Sequence, residues 1–516
     1  MKKKNIGIFV CMLLIVTTLS ATGNIETDNM FIENNVNGKW IIDTVDGIGE
    51  VGWYTDIAIV DPENVFVSYY DIKWKNLKLA NLRDSKWFLE VVDSIGDVGT
   101  YTSLAVDSSG NPHISYYDAT NRDLKYAKWT DSGWSIEVVD SQGDVGLDTS
   151  IAIDFNGFPH ISYYDATNRD LKYAKWTDPG WSIEVVDSQG DVGRGTSITL
   201  DIYGNSYVSY AAQWPGLLYA HRTEAGWSTN VVDSESRVYG STSISIDSDS
   251  NPHIGYFDVG TASEEWYLKY AYLINSKWNI EIVDPHIKGF WYEWGVSIAA
   301  CQDEIIHIAY FKWTNERDLN YAWRLNNRWS IETVDSEGVV GAYTSLDIGS
   351  DGYPHISYMD RSSLSLKYAR KIQYCPSTPN KPLGTFYGKS GKEYSYASSA
   401  IDFDGDKIRY GWDWDGDMIV DEYTGFFGSG EIINTSHMWE NGGTYQIQVI
   451  AEDENGHESE WSNSLPITMS KNKQITINDN NPPNPPEITG SLFGKVGEVY
   501  FYHFTVTDPD ENDGLW

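Results

Sequence analysis

Three cysteines in 516 residues are too few for a disulfide framework, and Cys11 falls in an N-terminal apolar run, leaving Cys301 and Cys375 far apart. Basic residues are sparse as well: 37 Lys and Arg stand against 74 Asp and Glu, a formal charge of −37. A field of that sign repels nucleic acid and anionic lipid, and favours solubility or divalent-cation binding. Beyond Ile6–Leu19 there is no apolar run long enough to cross a bilayer as a helix. Helical periodicity is also missing, so strands are the only regular structure the pattern supports.

What the chain does have is aromatic rings, 22 Trp and 35 Tyr, and they recur in order. A tryptophan opening a GWSIEVVD-like run stands at Trp40, Trp87, Trp134, Trp181, Trp227, Trp278 and Trp329. Seven copies therefore fill residues 38–373, and a period in the forties with several short apolar runs per copy marks a β-propeller. The third copy shows the runs: Trp134–Val139, Thr149–Asp154, His160–Asp165 and Leu171–Trp176. Four strands per copy and seven copies predict a seven-bladed ring.

Loop length sets the phase. The links DSSGNP, ATNRD and TDSG are short enough for antiparallel hairpins, whereas SQGDVGLD is the longest. The longest link must carry the chain from the rim back to the axis. TSIAID is then the axial strand, PHISYYD the second, LKYAKW the third and GWSIEVVD the outer one. The first Trp strand, Trp40–Val45, precedes any axial strand, and the last copy stops without an outer strand. It is expected to complete the last blade beside Leu366–Arg370, which leaves no unpaired edge there.

Outside the repeats, residues 1–23 have a basic start, an apolar run and small residues at Ala21 and Gly23, the form of a secretory signal peptide. Residues 374–383 contain CPSTPNKPL, a proline-marked linker, and residues 384–470 form a separate unit of short strands. A second linker, 471–487, leads into residues 488–516, where FYHFTVTD parallels YSYASSAID; this reads as a second such unit, truncated. The expectation is an all-β, exported, modular protein.

Two resemblances follow from these motifs. With DxxGxPHISYYD followed by LKYA, the ring resembles the sialidase-like and lectin-like propellers of secreted microbial proteins. The turns Asp107–Gly110 and Asp154–Gly157 depart from the sialidase box SxDxGxxW, and no catalytic residue carries over. Residues 384–470, on IDFDGDKIRYGWDWDGD, SHMWENGGTYQIQVIAEDENG and SEWSNSLPI, resemble a PKD domain, an immunoglobulin-like β-sandwich. That resemblance implies a spacer or a module contacting proteins and glycans.

Most copies bring only Asp, Gly and Val to the axial mouth, where propeller ligands usually bind. The sixth copy instead carries Phe290, Trp291, Tyr292, Glu293 and Trp294. Trp53 and Tyr54 occupy the matching loop of the first copy, and Trp214, Trp266 and Trp313 lie in turns on the same face. Such rings either stack on sugars, with Glu293 accepting hydroxyl hydrogen bonds, or plug the ring against one another. The expected partners are extracellular glycans or surface proteins, with no nucleic acid and no membrane span. The alternative is a polysaccharide lyase or glycosidase using Glu293 with a group such as His286. The histidines His113, His160, His253, His307 and His355 share one repeat position, so the ring separates them and a structural role in each blade is expected. In the sandwich, the alternating carboxylates Asp413, Asp415, Asp417 and Asp421 suit calcium's demand for oxygen ligands, and a solvated acidic hairpin is the other reading.

Overall fold

The computed structural model describes residues 39–212, 216–223, 225–259, 266–287, 295–300, 305–314, 316–372, 375–402, 405–471, 487–489 and 503–505. The chain divides into two units, Met1–Tyr374 and Cys375–Trp516. All regular structure among the described residues is β-strand.

In the first unit the strands form seven antiparallel four-stranded sheets, the blades of a propeller. Blades 1 to 6 each run in sequence order from the axis outward. Blade 7 takes three strands from the last copy and its outer strand, Lys39–Asp46, from the start of the chain. That strand pairs antiparallel with Ser365–Ile372, with Ile41 opposite Arg370. The expected phase and closure are what the structure contains. One boundary differs: the axial strand of the third copy begins at Val145 rather than Thr149, because pairing with the second strand resumes across a bulge.

The bulge recurs. In blades 1, 2, 3, 4 and 7 the register slips near the head of the axial strand, next to Trp53, Thr100, Leu147, Arg194 and Ala342. The residue after each of these is left-handed: Tyr54, Tyr101, Asp148, Gly195 and Tyr343 all have φ between 50° and 55°. A non-glycine residue there costs roughly 1–2 kcal/mol, and bulges commonly re-aim side chains beside functional sites.

Seams between blades are closed at several radii. Nearest the axis, each axial strand donates a backbone N–H to a side chain of the preceding blade. Leu104 bonds Asp56 at 2.7 Å, Ile151 bonds Ser103 at 3.2 Å and Ile198 bonds Ser150 at 3.2 Å. Ile244 bonds Ser197, Ile298 bonds Ser243, Leu346 bonds Ser297 and Ile57 bonds Ser345, which returns the girdle to its start. Farther out, the terminal aspartate of an outer strand reaches the next blade. Asp93 accepts from Tyr116 at 2.8 Å and from Lys125 at 2.5 Å. Burial works to raise the Asp93 carboxyl, but these donors and Ile95 N–H outweigh it and hold the group below its ordinary value. At the rim, the repeat tryptophans other than Trp134 pack edge-on against tyrosines of the preceding blade, as Trp181 does on Tyr126 at 5.2 Å, while Trp134 packs on the cluster containing Leu79.

The recurring histidines lie at the end of the ring opposite the mouth, just after the turn that leaves the axial strand. Each meets a tyrosine hydroxyl of its own blade through Nδ1, and in His113 and His253 Nε2 also meets the turn aspartate. His113 Nε2 meets Asp107 at 3.3 Å, and its Nδ1 meets the Tyr126 hydroxyl at 2.6 Å.

The second unit is a sandwich of a three-stranded and a five-stranded sheet. Its core is aromatic, with Trp412, Trp414 and Trp439 packed beside Tyr410, Ile447 and Val449. Beyond it, residues 487–489 pair with 503–505; the rest of 488–516 lies outside the described residues.

Candidate ligand-binding site

A cavity of about 640 Å³ opens at the axis, lined by the heads of all seven axial strands. Three rows of side chains build it. The innermost two are nearly uniform, a threonine row (Thr55, Thr102, Thr149, Thr196) above the serine girdle. The outermost row is where the copies differ. Going round the ring it reads Tyr54, Tyr101, Asp148, Gly195, Ser241, Gly295, Tyr343.

This row makes the mouth one-sided. Blades 7, 1 and 2 are neighbours, so Tyr343, Tyr54 and Tyr101 form a continuous wall, with ring centroids 4.8 Å and 4.7 Å apart. Trp53 extends it, 5.5 Å from Tyr343. Burial raises all three phenols, so they stay neutral donors. Opposite stand the small residues. A Cβ on Gly195 would meet the Gly240 carbonyl at 2.1 Å, so the backbone of blade 5 excludes any side chain there.

Between the two halves stand one acid and one base, Asp148 and Arg194, the latter ion-paired to Asp191 at 3.4 Å. Burial raises the Asp148 carboxyl, offset by the Gly195 N–H, which donates at 3.0 Å, and by Arg194. Arg194 lies over the Tyr164 ring at 4.4 Å and donates to its hydroxyl at 3.0 Å, which fixes the guanidinium at the cavity edge. The second carboxylate in the lining, Asp56, is occupied by the girdle: it accepts from Leu104, Ile57, Ser103 and Ser345.

The tyrosine wall continues outward over blade 1. Tyr54 lies 6.5 Å from Tyr70, whose hydroxyl donates to Asp97, and Asp97 pairs with Lys75 at 2.8 Å. Next to Lys75, Trp74 is 65% exposed, where the second and third copies carry Asn121 and Asn168.

Of the residues singled out from sequence, Trp53 and Tyr54 line the cavity. Trp266 and Trp313 do not; both pack on the apolar core shared by blades 5 and 6, and Trp313 carries Arg317 over its ring at 4.6 Å. Trp214, Phe290, Trp291, Tyr292, Glu293 and Trp294 lie outside the described residues, as do Cys301 and the leader-like start. Gly295 and Val296, which follow that stretch, line the cavity. Tyr101, Asp148, Arg194 and Tyr343 were not legible. The expectation that most copies bring only Asp, Gly and Val to the mouth is corrected by these axial-strand heads. Their one signal is that a single repeat column varies among otherwise near-identical copies.

In the sandwich, carboxylate oxygens of Asp413, Asp415 and Asp421 lie within 4.8 Å of one another. Asp417 is not part of that group; its carboxylate accepts from Ile419 N–H. Asp413 accepts from Gly416 and Met418, and Asp421 from Trp414, so the loop is shaped around its acids. Desolvation first, then the neighbouring carboxylates, raise Asp415.

Residues 387–464 match the family model described as PKD domain. The sandwich is thus a PKD domain. It is 36% identical to the PKD domain of an M14-like peptidase from a Thermoplasmatales archaeon; the match covers 19% of this chain and all of that one, with a TM-score of 0.18. For the propeller, a Penicillium chrysogenum α-L-arabinanase complexed with arabinobiose is 11% identical, with 52% of this chain and 92% of that one covered and a TM-score of 0.37. The endo-1,5-α-L-arabinanase of Thermotoga petrophila is 10% identical over 65% of this chain and all of that one, at a TM-score of 0.26. No curated protein matches the sequence. No helix among the described residues is long and apolar enough to cross a membrane.

Proposed function

We propose that the propeller binds carbohydrate in its axial cup, on an exported surface protein whose PKD domains act as spacers or adhesion modules. The observation that carries this reading is the one-sided mouth. Tyr343, Tyr54 and Tyr101 offer apolar ring faces to the C–H faces of a sugar, while Asp148 and Arg194 supply an acceptor and a donor for its hydroxyls. The left-handed backbone of all three tyrosines supports a role worth its strain. Trp74 gives a longer glycan a further ring along blade 1.

Hydrolysis is less well supported. A glycosidase needs two carboxyl groups flanking the bond, and among the described cavity residues Asp148 stands alone, because Asp56 is held by the girdle. The PKD acids Asp413, Asp415 and Asp421 are proposed as a calcium site, since three oxygens within 4.8 Å repel one another without a cation. Binding of the full chain to printed glycans, compared with Tyr54→Ala, tests the carbohydrate reading.

A further inference from the structure

The threonine row above the girdle hides an irregularity. At each seam one axial-strand position faces one second-strand position of the preceding blade, and at five seams these are Thr and Ser with their hydroxyls bonded. The pairs are Thr55–Ser357 at 2.7 Å, Thr102–Ser68 at 3.0 Å, Thr149–Ser115 at 2.9 Å, Thr196–Ser162 at 3.0 Å and Thr242–Ser209 at 2.7 Å.

The other two seams depart in different ways. Between blades 5 and 6 the pair is Val296 and Gly255, where a Cβ on the glycine would stand 3.3 Å from Val296. Both hydroxyls have gone together, which leaves nothing unsatisfied. Between blades 6 and 7 the register puts Ala309 where the serine stands elsewhere, yet Thr344 keeps its hydroxyl. Thr344 is 5% exposed, and its Oγ1 has no hydrogen-bond partner. A buried hydroxyl without a partner is destabilising, and the simple repair, valine, is already present one blade away.

We propose that Thr344 is a ligand-contacting residue of the cup, its hydroxyl rotating about χ1 to bond an oxygen of a carbohydrate seated against Tyr343. This rests on the carbohydrate reading of the cavity and adds a specificity-determining contact to it. Two observations converge. Thr344 is part of the cavity lining, between the tyrosine wall and the small side. Turning its side chain breaks no hydrogen bond, whereas at the five latched seams the same rotation breaks one. Gly295 packs directly on this residue: a Cβ there would meet the Thr344 N at 2.3 Å and its Cγ2 at 2.9 Å, so the strand head of blade 6 brings no side chain that could partner the hydroxyl.

The test measures printed-glycan binding and thermal unfolding of the full chain for wild type, Tyr54→Ala, Thr344→Val and Ala309→Ser. Thr344→Val removes the hydroxyl at constant shape, so apparent affinity falls about tenfold while the unfolding temperature holds or rises. Ala309→Ser supplies the missing partner, so it weakens binding and raises the unfolding temperature. Wild-type affinity in both variants, with binding still lost in Tyr54→Ala, overturns the role of Thr344 and leaves the carbohydrate site standing. Wild type binding no printed glycan overturns both.

Discussion

The Trp40 indole donates to Glu332 Oε1 at 2.8 Å across 292 residues of sequence. Lys371 reaches the same carboxylate at 2.6 Å, and the Trp40 ring packs edge-on to Tyr321 at 5.3 Å. These contacts tie the first described strand to blades 6 and 7, and they close the ring without a covalent link. Trp40→Ala should therefore destabilise the propeller by about 3 kcal/mol, the range for losing a large aromatic from a packed site. Urea unfolding followed by fluorescence checks this. A change within about 0.5 kcal/mol would mean that closure rests elsewhere.

The histidines make the ring acid-sensitive. Burial first, then nearby Lys or Arg side chains, depress His113, His160 and His355 to about 4 and His307 to about 3. Their folded values lie below the unfolded 6.5, so their stabilisation is present above that pH and is lost as pH falls toward 4. At pH 5 each costs on the order of 2 kcal/mol, and four together rival the whole stability of a domain. Asp347, raised to about 6 by burial, runs the other way: its contribution is present below about 4 and is lost as pH rises through 6. One such group does not offset four. Near-UV circular dichroism should show cooperative unfolding near pH 5. Asp347→Ala, which installs the residue of Ala58, Ala105, Ala152 and Ala299, should stabilise the ring more at pH 7.5 than at pH 5. A native spectrum persisting to pH 3.5 would refute the assignment.

Calcium should act on the PKD domain alone. With millimolar calcium, the full chain is expected to show a higher unfolding temperature for the transition that carries Trp412 and Trp414, and Asp415→Asn should abolish the shift. Equal transitions with and without calcium would make the acidic loop a solvated hairpin.

The ring was legible because repetition amplifies weak strand signals seven times, and because loop length alone distinguishes the crossing link from the hairpins. The site was not. Tyr101, Asp148 and Tyr343 are single substitutions in near-identical copies, and each looks like drift when read along the chain. They converge only when seven axial strands are set around one axis. The axial strand also starts four residues before its apolar run, at Val145 rather than Thr149 in the third copy, so the left-handed residue that aims each side chain inward reads as loop. Conversely, Trp266 and Trp313 drew attention as aromatics in turns, but their rings fill a seam. Aromatic content marks packing as readily as binding when every blade needs a tryptophan at its rim.

The central claim is that the one-sided tyrosine wall holds a carbohydrate. Titration of the full chain with the best-bound printed glycan, by calorimetry, compares wild type with Tyr54→Ala and Tyr343→Ala. Removing a stacking ring should weaken binding at least about tenfold in each, with circular dichroism unchanged. Unaltered affinity in both variants would place the ligand somewhere other than the axial cup.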